Sequence, residues 1–118
     1  MVNRSKAKGT LWESAIVTFL NAYGWPHVER RTLNGANDRG DIAGIPGVVI
    51  EAKSVKSITL GAFIDEAEKE RKNDKADIGV AWIKRRGRTT ADYGYVAMDG
   101  ATFVYLLKRA GYHQDSPE

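Results

Sequence analysis

Apolar residues recur with helical spacing in three stretches of the chain. The first covers residues 10–23 and ends before Gly24, and the second covers residues 60–73. The third is centred on residues 103–110 and is followed by Gly111. Positions three and four apart share one face of a helix, and glycine commonly follows the last helical turn. The pattern therefore predicts three amphipathic helices.

Five shorter segments show the alternating or continuous apolar patterns that are typical of β-strands. They cover residues 27–33, 41–43, 48–53, 78–83 and 93–98. The turn at residues 44–47 folds the second segment back on the third as a hairpin. The order of helix, three strands, helix, two strands and helix predicts an α/β fold, with a mixed central β-sheet flanked by helices.

The chain of 118 residues corresponds to one domain, because domains usually contain about 100 to 150 residues. We expect residues 1–8 to form a basic N-terminal arm and residues 113–118 a frayed tail. The absence of cysteine excludes thiol nucleophiles and cysteine-based metal sites. No apolar run approaches the roughly 20 residues of a membrane span, and no glycine-rich phosphate loop opens a helix. We therefore expect a cytoplasmic protein that uses neither a membrane nor a nucleotide cofactor.

Positive charge is concentrated in two short segments, although the net charge is only +3. Clusters of this kind suit polyphosphate partners such as DNA. We expect both segments, together with an arginine in the loop before the second strand, to form a basic rim around the site. The predicted DNA-binding residues are Arg4, Lys6, Lys8, Arg39, Lys84, Arg85, Arg86 and Arg88.

The third predicted strand ends in two ionisable residues that share a face. Glu51 and Lys53 are two apart, so their side chains leave the same side of the strand. If Gly44 pairs with Val48 in the hairpin, Asp41 lies opposite Glu51, whereas a turn shifted by one residue would separate them. Adjacent carboxylates favour a hard cation such as Mg²⁺ or Mn²⁺. The alternative is a structural Glu–Lys ion pair.

Three short motifs on these elements resemble the PD-(D/E)XK nuclease superfamily. They are Lys8-Gly9-Thr10-Leu11-Trp12-Glu13 on the first helix, Arg39-Gly40-Asp41 on the second strand and Glu51-Ala52-Lys53 on the third. The chain is most similar to the small archaeal-type Holliday junction resolvases and related phage-encoded nucleases. The predicted order of helix, three strands, helix and strand matches the core of that superfamily, a restriction-endonuclease-like fold.

The resemblance implies a role for each motif residue. Asp41 and Glu51 would bind Mg²⁺, with Mn²⁺ as a substitute, joined by the backbone carbonyl of Ala52. Glu13, on the flank of the first helix, would reach the same metal directly or through water, and Lys53 would orient or activate the attacking water. The implied reaction is hydrolysis of a DNA phosphodiester by metal-activated water.

The resemblance also implies a partner and an assembly. A Holliday junction resolvase would act in DNA recombination on branched or four-way DNA, as a homodimer, in the host cytoplasm if phage-encoded. The alternatives are a nuclease of the same fold acting on linear, flap or single-stranded DNA, and a non-catalytic DNA-binding module. The loop before Asp41 lacks the serine of many resolvases, and Glu66 stands where many relatives have glutamine. We expect Glu66 to be solvated, and Tyr93 and Tyr95 to pack inside the fold.

Overall fold

The structure, a computed structural model, describes residues 4–31 and 40–113, and for residues 4 and 5 it describes the backbone alone. The described ranges contain three helices and five strands in the order helix, three strands, helix, two strands and helix, and a turn of 3-10 helix at Ala91–Tyr93 precedes the last strand. The helices are α1 (Arg4–Ala22), α2 (Leu60–Asn73) and α3 (Gly100–Arg109). The strands are β1 (Glu29–Arg30), β2 (Ile42–Ala43), β3 (Val48–Lys53), β4 (Ile78–Ile83) and β5 (Tyr95–Ala97).

The five strands form a single mixed sheet in the order β1-β2-β3-β4-β5. Strands β3 and β4 are parallel, and α2 connects them, whereas the other neighbouring pairs are antiparallel. A parallel pair needs a crossover of this length, because its strands start at the same end of the sheet. The predicted α/β fold with a mixed sheet flanked by helices is confirmed.

The main core lies between α1 and the sheet. Trp12, Ile16 and Leu20 of α1 are buried against apolar residues that include Ile50 of β3 and Trp82 of β4. The indole N–H of Trp12 donates to the carbonyl of Trp82 at 2.9 Å, which satisfies a polar group that burial would otherwise leave without a partner. Alternate residues of β3 therefore face α1, and the remaining ones face α2.

The second layer is thinner and brings α2 close to the sheet. Phe63 is buried in a small cluster with Ala81 and Ile83 of β4. A Cβ atom at Gly79 would lie 2.7 Å from the carbonyl oxygen of Ala67, so only glycine allows this approach of helix and strand. Side chains that α2 directs toward the sheet consequently meet those on the outward face of β3.

The ends of several elements differ from the sequence predictions. Helix α1 begins at Arg4, so residues 4–8 belong to a helix and not to a separate arm. Arginine, lysine and alanine are good helix formers, and apolar spacing cannot detect a polar first turn. Strand β1 is limited to two exposed residues, and residues 32–39 of the predicted strand and loop lie outside the described residues. Of the predicted tail, residues 114–118 also lie outside them.

The last third of the chain contains two further differences and one agreement. The predicted strand 93–98 is shortened to β5, because residues 91–93 form the 3-10 turn. Helix α3 starts earlier than its apolar residues suggest, since the side chain of Asp99 accepts a hydrogen bond from the Thr102 N–H and caps the first turn. Gly111 follows the helix with a φ of +88°, as the sequence predicts. Among the described residues, no helix is long and apolar enough to cross a membrane.

Candidate metal centre and basic groove

The hairpin register brings Asp41 to the strand that carries Glu51 and Lys53. Strands β2 and β3 pair Ile42 with Ile50, so one step further Asp41 lies opposite Glu51, in the register that pairs Gly44 with Val48. The backbone N–H of Asp41 donates to the Ile50 carbonyl at 3.0 Å. Its carboxylate Oδ2 accepts a hydrogen bond from the Ala52 N–H at 2.8 Å. The Asp41 side chain is therefore held against the middle of Glu51-Ala52-Lys53.

The residue before Asp41 has to be glycine. Gly40 has a φ of +96°, which side-chain-bearing residues rarely adopt. A Cβ atom there would also lie 2.9 Å from Cγ1 of Val49 and 3.2 Å from the carbonyl oxygen of Ile50. The close approach of Gly40 to β3 thus fixes where the Asp41 carboxylate sits.

Lys53 lies between two carboxylates on the α2 face of the sheet. Its Nζ is 3.4 Å from Oε1 of Glu51 and 2.6 Å from Oε2 of Glu66. Burial opposes the charge on the amine, but the hydrogen bond to Glu66 and the charge of Glu51 outweigh it and raise the pKa of Lys53. Lys53 is therefore a fixed cation. The prediction of a solvated Glu66 is wrong in this respect, although 41% of its side chain is still exposed.

A buried acidic group extends this arrangement toward the middle of α2. Carboxylate oxygens of Glu51, Glu66 and Glu70 all lie within 4.8 Å of one another, and Glu51 and Glu70 are 5% and 2% exposed. Burial raises the pKa of Glu51, and a hydrogen bond shared with Glu70 and the charges of Asp41, Glu70 and Glu66 raise it further. Without a cation, this cluster therefore keeps a proton on a carboxylate.

Glu13 is a further carboxylate within electrostatic reach of Asp41. Its Oε2 is 3.4 Å from Nη2 of Arg30, and 18% of its side chain is exposed. Partial burial and the charge of Asp41 raise the pKa of Glu13, whereas Arg30 partly offsets both effects. Glu13 and Glu51 thus both interact electrostatically with Asp41.

The donor set fits a hard divalent cation. All the candidate ligands are oxygen atoms, which Mg²⁺ and Mn²⁺ prefer. Oε2 of Glu51 is buried with no hydrogen-bond donor among the described residues unless a neighbouring carboxylate is protonated. Glu51 belongs to two possible ligand groups. In the group that the resemblance implies, its partners are Asp41, the Ala52 carbonyl and Glu13. In the group that the geometry adds, its partners are Glu66 and Glu70.

The predicted DNA-binding residues separate into those on a groove and those away from it. The groove has a volume of about 730 Å³ and includes Lys8, Lys84, Arg85 and Arg86 among its lining residues. Lys6 is exposed on α1 and does not line the groove. The guanidinium of Arg88 lies 4.4 Å from the ring centre of Tyr93. The side chain of Arg4 and all of Arg39 lie outside the described residues.

Two acidic residues and one basic residue of these regions are not assigned to them by the sequence patterns. Glu70 occupies the stripe of Phe63 and Ala67, and an acidic residue on an otherwise apolar stripe is a signal for a buried functional or paired group. Glu66 lies one turn before Glu70 on the same side of the helix. Lys56, which lines the groove, stands alone in sequence and gave no signal.

No family model, curated protein or solved structure matches this chain in the comparisons with known proteins.

Proposed function

We propose that this protein is a Mg²⁺-dependent endonuclease that hydrolyses DNA phosphodiesters, with branched DNA as its preferred substrate. The observation that carries the proposal is the hydrogen bond from the Ala52 N–H to the Asp41 carboxylate. This bond holds Asp41 of one motif against Ala52 of the other, whose neighbours Glu51 and Lys53 contact each other, so the two motifs form one site. Either motif alone would be a weak signal.

In this proposal, Asp41 and Glu51 hold the cation, with the Ala52 carbonyl as a third donor and Glu13 at its edge. When bound, a divalent cation supplies Lewis-acid stabilisation of the charge that develops on the phosphate. Lys53 orients the attacking water, because Glu51 and Glu66 fix its ammonium group on both sides. Glu70 supports this arrangement from the buried side of the cluster.

The nearby cations support DNA as the substrate. The carbonyl of Lys53 accepts a hydrogen bond from the Lys84 N–H at 2.9 Å, so the basic segment after β4 begins beside the end of β3. An acidic centre bordered by cations can accept a phosphodiester, because the cations offset the repulsion between phosphate and carboxylates. Symmetric cutting of a four-way junction needs two sites, so the proposal includes a homodimer, with the cytoplasm as its place of action.

Cleavage of defined DNA substrates tests the proposal. The wild type, Asp41→Asn and the matched control Asp65→Asn are each incubated with a labelled four-way junction, a linear duplex and a single strand. Asp65 is exposed on α2 and is not one of the clustered carboxylates. Each reaction is run with Mg²⁺ and with EDTA. We expect cleavage that needs Mg²⁺, is lost in Asp41→Asn and persists in Asp65→Asn.

The pattern of products distinguishes the alternatives. Paired, symmetric nicks near the branch point support a junction resolvase and a dimer. Equal cleavage of all substrates supports a nuclease without branch preference. DNA binding without cleavage in either Mg²⁺ or Mn²⁺ would contradict the enzymatic proposal and favour a DNA-binding module.

A further inference from the structure

The groove lies next to the proposed site and is formed by three separate segments. Residues near the start of α1 form one wall, and the loops that follow β3 and β4 form the others. Ser54, the residue after Lys53, lines the groove, so the groove starts where the proposed catalytic strand ends. Its volume of about 730 Å³ lies within the range of small-ligand sites, about 300 to 1,000 Å³, which matches a few nucleotides better than a duplex.

The charged residues on the groove are all cations. No acidic side chain is among its lining residues in the part of the chain that the structure describes. The basic residues come from all three segments and are Lys8, Lys56, Lys84, Arg85 and Arg86. A surface of this kind attracts a polyanion. Because the basic residues are spread over three segments, they suit a linear chain of phosphates better than a single anion.

Apolar side chains also line the groove and remain accessible to solvent. Leu11 is 70% exposed, Ile58 is 48% exposed and Val55 is 43% exposed. Exposed apolar groups that converge on a concave surface usually contact a ligand. The backbone of duplex DNA offers them only phosphates and sugars, because the bases are stacked and paired inside the helix. Unpaired bases, in contrast, expose apolar faces.

An aromatic residue extends this surface beyond the groove. The guanidinium of Arg85 lies 5.2 Å from the ring centre of Tyr95, and Tyr95 is 50% exposed. The prediction that Tyr93 and Tyr95 pack inside the fold is therefore wrong, since both rings lie at the surface beside an arginine. Exposed aromatic rings next to basic side chains are typical of surfaces that bind single-stranded nucleic acid.

We infer that this groove binds an unpaired segment of a DNA strand, with phosphates on its basic residues and bases against Leu11, Val55 and Ile58. The inference rests on the proposed function in taking DNA as the polymer and in placing the scissile bond next to the groove. It deepens that function by naming the substrate class: DNA that carries a flap, a splayed arm or another unpaired segment beside a duplex.

The test compares two strands that differ only in their bases. A fluorescent thymidine oligonucleotide and an abasic oligonucleotide of the same length carry the same phosphates. Their affinities are measured in EDTA, so that no cleavage occurs. The variants are the double substitution Leu11→Ser with Ile58→Ser, the rim substitution Lys56→Gln, and Val104→Ser as a control on α3, where Val104 is 50% exposed. Thermal unfolding verifies that each variant is folded.

We expect the wild type to bind the thymidine strand about tenfold more tightly than the abasic strand, since contacts with bases add to the phosphate contribution. The double substitution should remove this difference and leave the affinity for the abasic strand unchanged. Lys56→Gln should weaken binding of both strands equally, and Val104→Ser should change neither.

Equal affinity of the wild type for the two strands would overturn the inference, even if the cleavage assay supports an endonuclease. A base-dependent difference that survives the double substitution would also overturn it, because the bases would then bind elsewhere. A difference that the double substitution abolishes would support the groove as a single-strand site, even if no DNA is cleaved.

Discussion

The two regions that meet at the end of β3 have opposite charge and opposite exposure. On the α2 face, Glu51 and Glu70 are buried, and the pKa of Glu51 is raised because the surroundings disfavour its charge. Beyond Ser54 the groove is open and lined by cations. The same strand therefore leads from a largely buried acidic region into an open, solvent-accessible basic one.

In both regions, what a charged residue contributes depends on its surroundings as much as on its charge. A buried ionisable group acts in a medium of low dielectric constant, so its neighbours perturb it strongly. A cation on an exposed rim is screened by water and salt, and its contribution is small. The proposed function consequently assigns chemistry to a few buried groups and DNA binding to the sum of many exposed ones.

The largest effect is expected from Glu51→Gln. Glu51 belongs to both possible ligand groups, and loss of a residue that merely supports a metal ligand already costs about 10- to 100-fold. We therefore expect cleavage to fall at least about 100-fold. DNA affinity in EDTA should stay at the wild-type value, because Glu51 is buried away from the groove. The measurement is single-turnover cleavage next to equilibrium binding.

Asp65→Asn provides the control for this substitution, since it makes the same change from a carboxyl to an amide side chain but lies on the exposed side of α2. Near-normal cleavage by Glu51→Gln would contradict the assignment of Glu51 to the cation. Parallel loss of cleavage and DNA affinity would contradict the separation of the two regions.

A smaller effect is expected in the pH dependence of stability without divalent cations. The pKa of Glu51 is raised from its ordinary value of 4.5, so above that pH the unfolded chain releases a proton that the folded protein retains. The free energy of unfolding should therefore fall as the pH rises above 4.5, by up to about 4 kcal/mol between pH 5 and 8, since one retained proton changes it by about 1.4 kcal/mol per pH unit. Urea unfolding in EDTA at several pH values measures it.

Glu51→Gln isolates this contribution, because glutamine has no proton to lose and is close in shape to protonated glutamate. Other groups, such as Glu13, titrate in both proteins, so the difference between the two pH profiles belongs to Glu51 and its immediate neighbours. We expect the substituted protein to lose less stability on raising the pH. Identical profiles would show that Glu51 is ionised in the folded protein.

The regular elements were largely predictable from the sequence, because each has a strong apolar pattern. Helix α2 and strands β3 and β4 have the predicted bounds. The start of α1 was not predictable, since a polar first turn leaves no apolar spacing. The start of β5 was not predictable either, since residues 91–93 form a 3-10 turn. The burial of β3 and β4 on both sides made their patterns nearly continuous, whereas β1 is exposed and carries little signal.

The candidate site was predictable only in part, because its residues come from elements that meet through tertiary packing. The spacing of Glu51 and Lys53 fixes their common face, and the hairpin turn limits Asp41 to two registers. The approach of α2 to the sheet depends on the contact between Gly79 and Ala67, which no local pattern reveals. Glu66 and Glu70 were therefore not placed beside Lys53 from the sequence.

The smallest effect is expected from single substitutions on the rim of the groove, such as Arg86→Gln. Arg86 is exposed and lines the groove, so it would contribute one phosphate contact among several. Loss of one such contact should weaken DNA binding only a few-fold and reduce the slope of log affinity against log salt by about one. The Mg²⁺-dependent cleavage rate at saturating DNA should not change. Fluorescence anisotropy titrations at several salt concentrations measure the DNA affinity and its salt slope, and single-turnover cleavage measures the rate.

Lys69→Gln is the matched control, because Lys69 is an exposed cation on α2 that does not line the groove. If both substitutions change the salt slope equally, the protein attracts DNA through its overall charge and the groove has no special role. If Arg86→Gln alone changes the slope and the saturated cleavage rate is preserved, exposed cations supply affinity and buried carboxylates supply chemistry. A loss of the saturated rate in Arg86→Gln would instead assign this arginine to the reacting phosphate, and the boundary between the two regions would lie inside the groove.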